Sequence, residues 1–153
     1  MEILSDLIEA HIILKTDDEI KFLLLKRSKE EIYPGIWQMV TGSVKPNEKG
    51  FECALREIKE ETNLTPLEMW VVPNINSFYS SERNSIIMVP VFVCTVDSED
   101  VQISSEHSEC RWVNKSEAVK MLAWLGQKKS VEIIEDYFLN NQNELKFVEI
   151  KIY

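Results

Sequence analysis

Apolar and polar positions along the chain change period several times, and each change marks an element. Leu7–Lys15 and Ile20–Arg27 are apolar, β-branched-rich runs on either side of the polar tetrapeptide Thr16-Asp17-Asp18-Glu19, which predicts two antiparallel strands joined by a turn. Tyr33-Pro34-Gly35 is turn chemistry, after which residues 37–41 read as a short strand running into Gly42. From about residue 48 to 62 the period becomes helical. Phe51, Ala54, Leu55 and Ile58 stand at i, i+3, i+4 and i+7, a stripe that packs onto a sheet. Asn63 is placed to end that helix, because Asn tolerates the left-handed conformation found at helix ends. Residues 67–72 and 85–96 read as strands, the second entered through the polar loop 80–84 and carrying Pro90, which demands an edge position or a bulge. A short strand over 110–113 precedes two stretches of helical spacing, 116–124 and about 130–139. The last stretch, about 144–153, alternates as Val148-Glu149-Ile150-Lys151-Ile152 and predicts an extra strand that pairs with the sheet edge or with a second subunit, making a homodimer. The order of elements predicts an α/β fold, a mixed β-sheet sandwiched between α-helices. No linker-like stretch or repeat divides the chain, so residues 1–153 read as one domain.

Charge narrows the partners. The 153 residues carry 26 acidic and 17 basic side chains, a net charge of −9, which disfavours a protein that grips a nucleic-acid polymer by neutralising its phosphates. The longest apolar run, residues 86–94, is interrupted by Pro90 and falls far short of the roughly 20 residues that span a bilayer, so no membrane span is expected. The amino terminus has Glu2, Asp6 and Glu9 where a secretory signal would carry basic residues. Cys53, Cys94 and Cys110 are odd in number and lack metal-type spacing. They read as reduced structural thiols in a cytoplasmic protein.

The candidate chemistry lies on the first helix. Glu57, Glu60 and Glu61 follow i, i+3, i+4 spacing on a face other than the apolar stripe, so three like charges fall within one turn. Alone, such a triplet is usually a solvated acidic face. Here a Gly-containing loop precedes it, Glu48 stands at the helix start, and Arg56 adjoins the first carboxylate. The forked guanidinium of Arg56 can tie down Glu48 or Glu52 and hold the loop against the helix. A loop bracing three carboxylates is a magnesium site in outline, because Mg²⁺ takes a few carboxylates and completes its shell with waters and substrate phosphates. Such an ion also lets an acidic protein bind a polyanion.

These residues resemble a known family. Gly42, then Glu48, then Arg56-Glu57-Ile58-Lys59-Glu60-Glu61-Thr62-Asn63-Leu64 matches the Nudix box, G-x5-E-x7-R-E-U-x-E-E-x-G-U with U aliphatic, over residues 42–64. The one departure is Asn63 in place of Gly, which keeps a left-handed cap and touches no ligand. The resemblance covers roughly residues 5–140 and implies hydrolysis of a nucleoside diphosphate linked to another group, with magnesium, or alternatively manganese, and an attacking water. It implies Glu57, Glu60 and Glu61 as metal ligands, a further carbonyl ligand at Thr41 or Gly42, and Glu48 and Arg56 as braces of the loop that begins at Gly42.

An additional ligand or general base is expected from outside the box. Glu106, in Ser105-Glu106-His107 ahead of the aromatic strand, resembles the corresponding residue of the branch that contains dihydroneopterin triphosphate pyrophosphatase. Glu109 is the lesser stand-in, and a lone loop histidine such as His107 is more often simply solvated. Trp37-Gln38-Met39-Val40-Thr41-Gly42-Ser43-Val44 resembles that branch's entry into the box. The implied substrate is a small nucleotide or pterin triphosphate, of the dATP or dihydroneopterin triphosphate type, split to a monophosphate and pyrophosphate. Diadenosine polyphosphates, ADP-ribose or oxidised nucleotides are the alternatives within the family, and a nucleotide sensor without turnover is the alternative outside it. The resemblance also implies Arg27 and Thr41 as substrate contacts. Trp37, Trp70, Phe78, Tyr79, Trp112 and Trp124 can each supply a stacking wall for a ring, although aromatics in strands and helices more often pack the interior. Arg83 can reach a triphosphate, or simply face water.

Overall fold

The structure, a computed structural model, describes residues 1–153. Its centre is a nine-stranded mixed sheet: β1 (Glu2–Leu4), β2 (Leu7–Lys15), β3 (Ile20–Arg27), β4 (Trp37–Gln38), β5 (Val40–Ser43), β6 (Glu68–Ser80), β7 (Ser85–Thr95), β8 (His107–Val113) and β9 (Glu149–Ile150). The helices are α1 (Gly50–Thr62), α2 (Lys115–Met121), α3 (Leu125–Asn140) and the single turn α4 (Gln142–Leu145). The main strand order is β4-β3-β2-β7-β6-β9, with β8 beside β3, β5 beside the first half of β2 and β1 beside β7.

Alternation along β2 shows why the sheet is covered on both faces. Ile8, Ala10 and Ile12 point into a cluster with Cys53, Ala54 and Ile58 of α1. Ile13 joins the opposite cluster, which contains Ala118, Leu122, Val131, Ile134 and Phe138 from the α2–α3 side. A period of two thus sorts one strand between two cores, and the predicted α/β sandwich is observed. Cys53 and Cys94 are buried, Cys110 is half-buried, and all three are free thiols.

The hairpin β2–β3 is antiparallel as expected, and Asn63 caps α1 at φ 59°. Other boundaries moved. The expected strand over 37–41 is two strands, β4 on β3 and β5 on β2. β6 runs on from Val72 to Ser80, because its polar second half gains ladder partners on β7. Pro90 lies on an interior strand, so its edge position is corrected. β2 and β1 lie on the same side of β7, pairing with Val91–Thr95 and Ser85–Ile87 respectively. Pro90 falls between these stretches, and on its other side the register of β6 shifts between Val71 and Ile75. The expected bulge therefore accommodates a residue that has no N–H to donate. β9 shrinks to two residues, paired with Met69 and Trp70 at the β6 edge of the same chain.

Candidate functional site

Helix α1 starts where Glu52 Oε2 accepts the Lys49 N–H at 2.8 Å, a carboxylate satisfying a free donor of the first turn. Glu52 is thereby spent on the cap, and Arg56 takes Glu48. Its Nε and Nη2 meet Glu48 Oε1 and Oε2 at 2.7 and 2.9 Å, and Nη2 also reaches the Ser43 carbonyl at 3.1 Å. This two-pronged grip, with the Lys45 N–H on the same carboxylate, holds the Glu48 pKa down at about 2. The remaining guanidinium nitrogen bonds Glu57 Oε1 at 2.7 Å and Glu60 Oε2 at 3.4 Å. Arg56 thus links the loop to two of the three box carboxylates.

The three carboxylates grade from solvent to interior. Glu60 is exposed, Glu57 half-buried, and Glu61 buried at 2 % exposure. Burial raises the pKa of Glu57 against the lowering effect of Arg56, with Glu60 and Glu106 adding repulsion. Burial pushes Glu61 up to about 10, helped by the neighbouring carboxyl of Glu106 and the charge of Glu57. Glu106 sits on the exposed turn before β8, where its carbonyl accepts the Ser28 N–H at 2.9 Å. Glu106 thus stands close enough to Glu57 and Glu61 to penalise their charge, Glu57 adds to the penalty on Glu61, and Glu61 Oε2 is buried with no hydrogen-bond partner. These residues do not close into a ready-made cage, for no three acidic, imidazole or thiol groups stand in metal-ligating geometry. The orphaned oxygen and the mutual repulsion nevertheless fit a hard divalent cation, which would satisfy the one and cancel the other.

Gly42 brings the loop onto this group. A Cβ at Gly42 would lie 2.3 Å from Glu57 Cγ, so only a hydrogen side chain admits the carboxylate at its observed place. One residue earlier, Thr41 pairs with Glu9 of β2, and Thr41 and Gly42 both line a cleft of about 720 Å³. Arg27 also lines the cleft. It bonds the Ile32 carbonyl and pairs with Glu31 at 3.4 Å, and its charge acts favourably on Glu61. Glu57, Glu60, Glu61 and Glu106 do not themselves line the cleft; of its wall residues, Gly42 abuts Glu57 and Arg27 acts on Glu61.

Several expected contacts fall elsewhere. Trp37 does not line the cleft; its ring faces Lys26 and Arg111, at 5.9 and 5.1 Å. Trp70 is core, edge-on to Phe138 at 5.0 Å, and Trp112 donates its indole N–H to the Glu99 carbonyl. Tyr79 bonds Asn84, while Phe78 and Trp124 do line the cleft. Arg83 lines it too and is held by Asp6 at 2.6 Å. His107, expected in solvent, is buried at 3 % exposure on β8 with Nε2 3.0 Å from Gln38 Nε2, and burial lowers its pKa. Glu109 pairs with Arg111.

The residues missed in the sequence are Glu9, Asn76 and Gln127, all in the cleft wall. The signal for Glu9 was a lone acid inside an apolar strand, shadowed by the neighbouring polar residue His11. Asn76 and Gln127 gave none.

The NUDIX domain family matches residues 7–137. This chain belongs to the Nudix family. Among its relatives is the dihydroneopterin triphosphate diphosphatase of Haemophilus influenzae, 26% identical over 142 residues that cover 84% of this chain and 85% of that protein. Another is the asymmetrical bis(5'-nucleosyl)-tetraphosphatase of Caenorhabditis elegans, 30% identical over 109 residues, 70% and 77% of the two chains. A crystal structure of a candidate NUDIX hydrolase from Listeria monocytogenes superposes with a TM-score of 0.77 at 26% identity, covering 89% of this chain and 95% of that one. The protein is thus a Nudix hydrolase acting on phosphorus anhydrides, in a family that generally uses a divalent metal. No helix is long and apolar enough to cross a membrane.

Proposed function

We propose that this Nudix hydrolase is a magnesium-dependent pyrophosphohydrolase that splits a nucleoside or pterin triphosphate into the monophosphate and pyrophosphate. The observation that carries the reading is that an aromatic-lined cleft meets the acidic end of α1 at two wall residues, Gly42 abutting Glu57 and Arg27 acting on Glu61. A flat ring fits the cleft, and a phosphate chain leads from it to the carboxylates. The likeness to the Haemophilus influenzae enzyme points the same way.

In this reading Glu57, Glu60 and Glu61 would hold Mg²⁺, which when bound polarises phosphate oxygens and lowers the pKa of a bound water. Arg56 keeps Glu57 and the loop in place, so the acidic group is assembled before substrate arrives. Arg27 supplies a fixed positive charge for the phosphates where the cleft meets Glu61. Glu106, at the exposed rim, takes the proton of the attacking water. The new bond forms between water oxygen and phosphorus, the anhydride P–O bond between the first and second phosphates breaks, and pyrophosphate leaves with the bonding pair. The free cysteines support a reducing compartment, the cytoplasm.

The test is a magnesium-dependent panel of dATP, the other nucleoside triphosphates, dihydroneopterin triphosphate, ADP-ribose and diadenosine tetraphosphate, with products identified by phosphorus NMR. Pyrophosphate plus a monophosphate from a triphosphate is expected. Preference for diadenosine tetraphosphate or ADP-ribose overturns the substrate class.

A further inference from the structure

The cleft wall on the α3 side contains polar side chains that phosphate chemistry does not use. Glu9 of β2 and Gln127 of α3 are each 5 % exposed. Glu9 Oε1 accepts from Asn76 Nδ2 at 2.9 Å and from Gln127 Nε2 at 3.4 Å. Glu9 Oε2 and Gln127 Oε1 have no partner at all. Asn76 reaches this position because residue 126 is glycine, where a Cβ would lie 2.0 Å from Asn76 Oδ1.

Two orphaned acceptors on side chains bonded to each other are costly to bury, and they persist where something else supplies the donors. Both belong to residues that line the open cleft. The same cleft presents Phe78, Tyr33 and Trp124, each about half exposed, with Tyr33 edge-on to Trp124 at 5.6 Å. Apolar ring faces beside paired acceptors suit a flat heteroaromatic ligand with two adjacent N–H donors on one edge. The 2-amino-4-oxopyrimidine unit, shared by guanine and pterin rings, has that edge: a ring N–H beside an exocyclic amino group. Adenine places a ring acceptor next to its amino group and would set acceptor against acceptor. Hypoxanthine lacks the amino group. Burial raises the Glu9 pKa against its two donors, and added donors from such a ring would favour the ionised carboxylate.

We propose that Glu9, with Gln127 and with Asn76 as its positioning residue, reads the 2-amino-4-oxo edge of a guanine- or pterin-type ring. This specificity pocket rests on the triphosphate reading above and narrows its substrate. The geometry joins the two, since Thr41 pairs with Glu9 while the next residue, Gly42, abuts Glu57.

The test is calorimetric binding of GMP, IMP and AMP to the whole protein without metal, so that the readout does not depend on turnover. GMP should bind at least about tenfold more tightly than IMP or AMP, the range expected when buried polar groups lose a partner. Glu9→Gln puts a donor where an acceptor stood and should bring the three affinities within about threefold of one another. Gln127→Met, of similar size and without polar atoms, should also shrink the difference, and it keeps the test open should Glu9→Gln fail to fold. Equal affinities in the wild type, preference for AMP, no binding of any of the three, or full discrimination in both variants would overturn the pocket. Displacement of GMP by 7,8-dihydroneopterin assigns the pocket to pterins, and resistance to displacement assigns it to guanine; either supports the shared edge. If triphosphate hydrolysis fails while GMP selectivity stands, the reaction falls and the pocket survives.

Discussion

Gly42→Ala isolates the contact on which the carboxylate group depends. The added Cβ would lie 2.3, 2.6 and 2.7 Å from Glu57 Cγ, Cδ and Oε1, whereas carbon atoms in contact sit at about 3.5–4 Å. Glu57 must therefore retreat by about 1 Å, and its 2.7 Å bond to Arg56 is lost or bent. A misplacement of about 1 Å costs roughly a hundredfold in rate when geometry is catalytic, so kcat should fall by about 10²-fold or more. The fold should survive. Gly42 is not among the residues at positive φ, so alanine fits the backbone and reduces unfolded-chain entropy by about 0.4–1 kcal/mol, which offsets much of the strain. The assay is magnesium-dependent pyrophosphate release alongside thermal unfolding followed by circular dichroism. A Glu57→Ala background sharpens it: the clashing atoms are gone, so Gly42→Ala should cost nothing further. Wild-type turnover in the single variant, or an undiminished second loss in the double variant, would refute the reasoning.

Divalent metal should raise the melting temperature of the wild type by mass action, and Glu61→Gln should abolish that rise and cut turnover by about 10²-fold or more without lowering metal-free stability; an unchanged magnesium response would remove Glu61 from the site. Arg56→Ala should reduce both melting temperature and activity, the latter by at least about tenfold, and a fully active, equally stable variant would deny its bracing role. His11 is fully buried, and burial depresses its pKa from 6.5 to about 3. The unfolded state therefore binds the extra proton, and the stability that the neutral ring confers, complete above about pH 6.5, is lost as pH falls toward 3. Between pH 7 and 5 this amounts to about 2 kcal/mol, which urea unfolding should show as a steeper loss in the wild type than in His11→Gln; parallel curves would contradict it.

The carboxylate end of the site was legible because it is local. Gly42, Glu48, Arg56 and the three glutamates lie within one loop and one helix, where spacing fixes which side chains meet. The two strands around residues 16–19 were legible for the same reason, their turn and apolar runs being contiguous. Pro90 was half legible: its missing donor demanded an irregularity, but nothing local tells that two different strands pair successively along the same side of β7. His107 misled because its neighbours Ser105, Glu106 and Ser108 are polar, while its burial comes from β3 and Gln38, distant in sequence. Trp37 misled in the opposite way, since its ring is claimed by Arg111, which only the β3–β8 pairing brings near. The cleft was hidden because its polar wall is assembled from β2, β6 and α3.

The spans of these contacts set an order of assembly. Arg56 reaches Ser43 across 13 residues and Glu48 across 8, whereas Glu9 meets Asn76 across 67 and Gln127 across 118. Loop closure grows costlier with length and non-local pairings form late. On a growing chain the brace around α1 can form as soon as residue 62 has emerged, but Glu9 waits until residue 127 has followed. In partly unfolding solvent the same hierarchy should run backwards, with loosening of α3 releasing Gln127 from Glu9 while the Arg56 brace still stands. Such a half-open molecule would keep its acidic centre and lose its choice of ring.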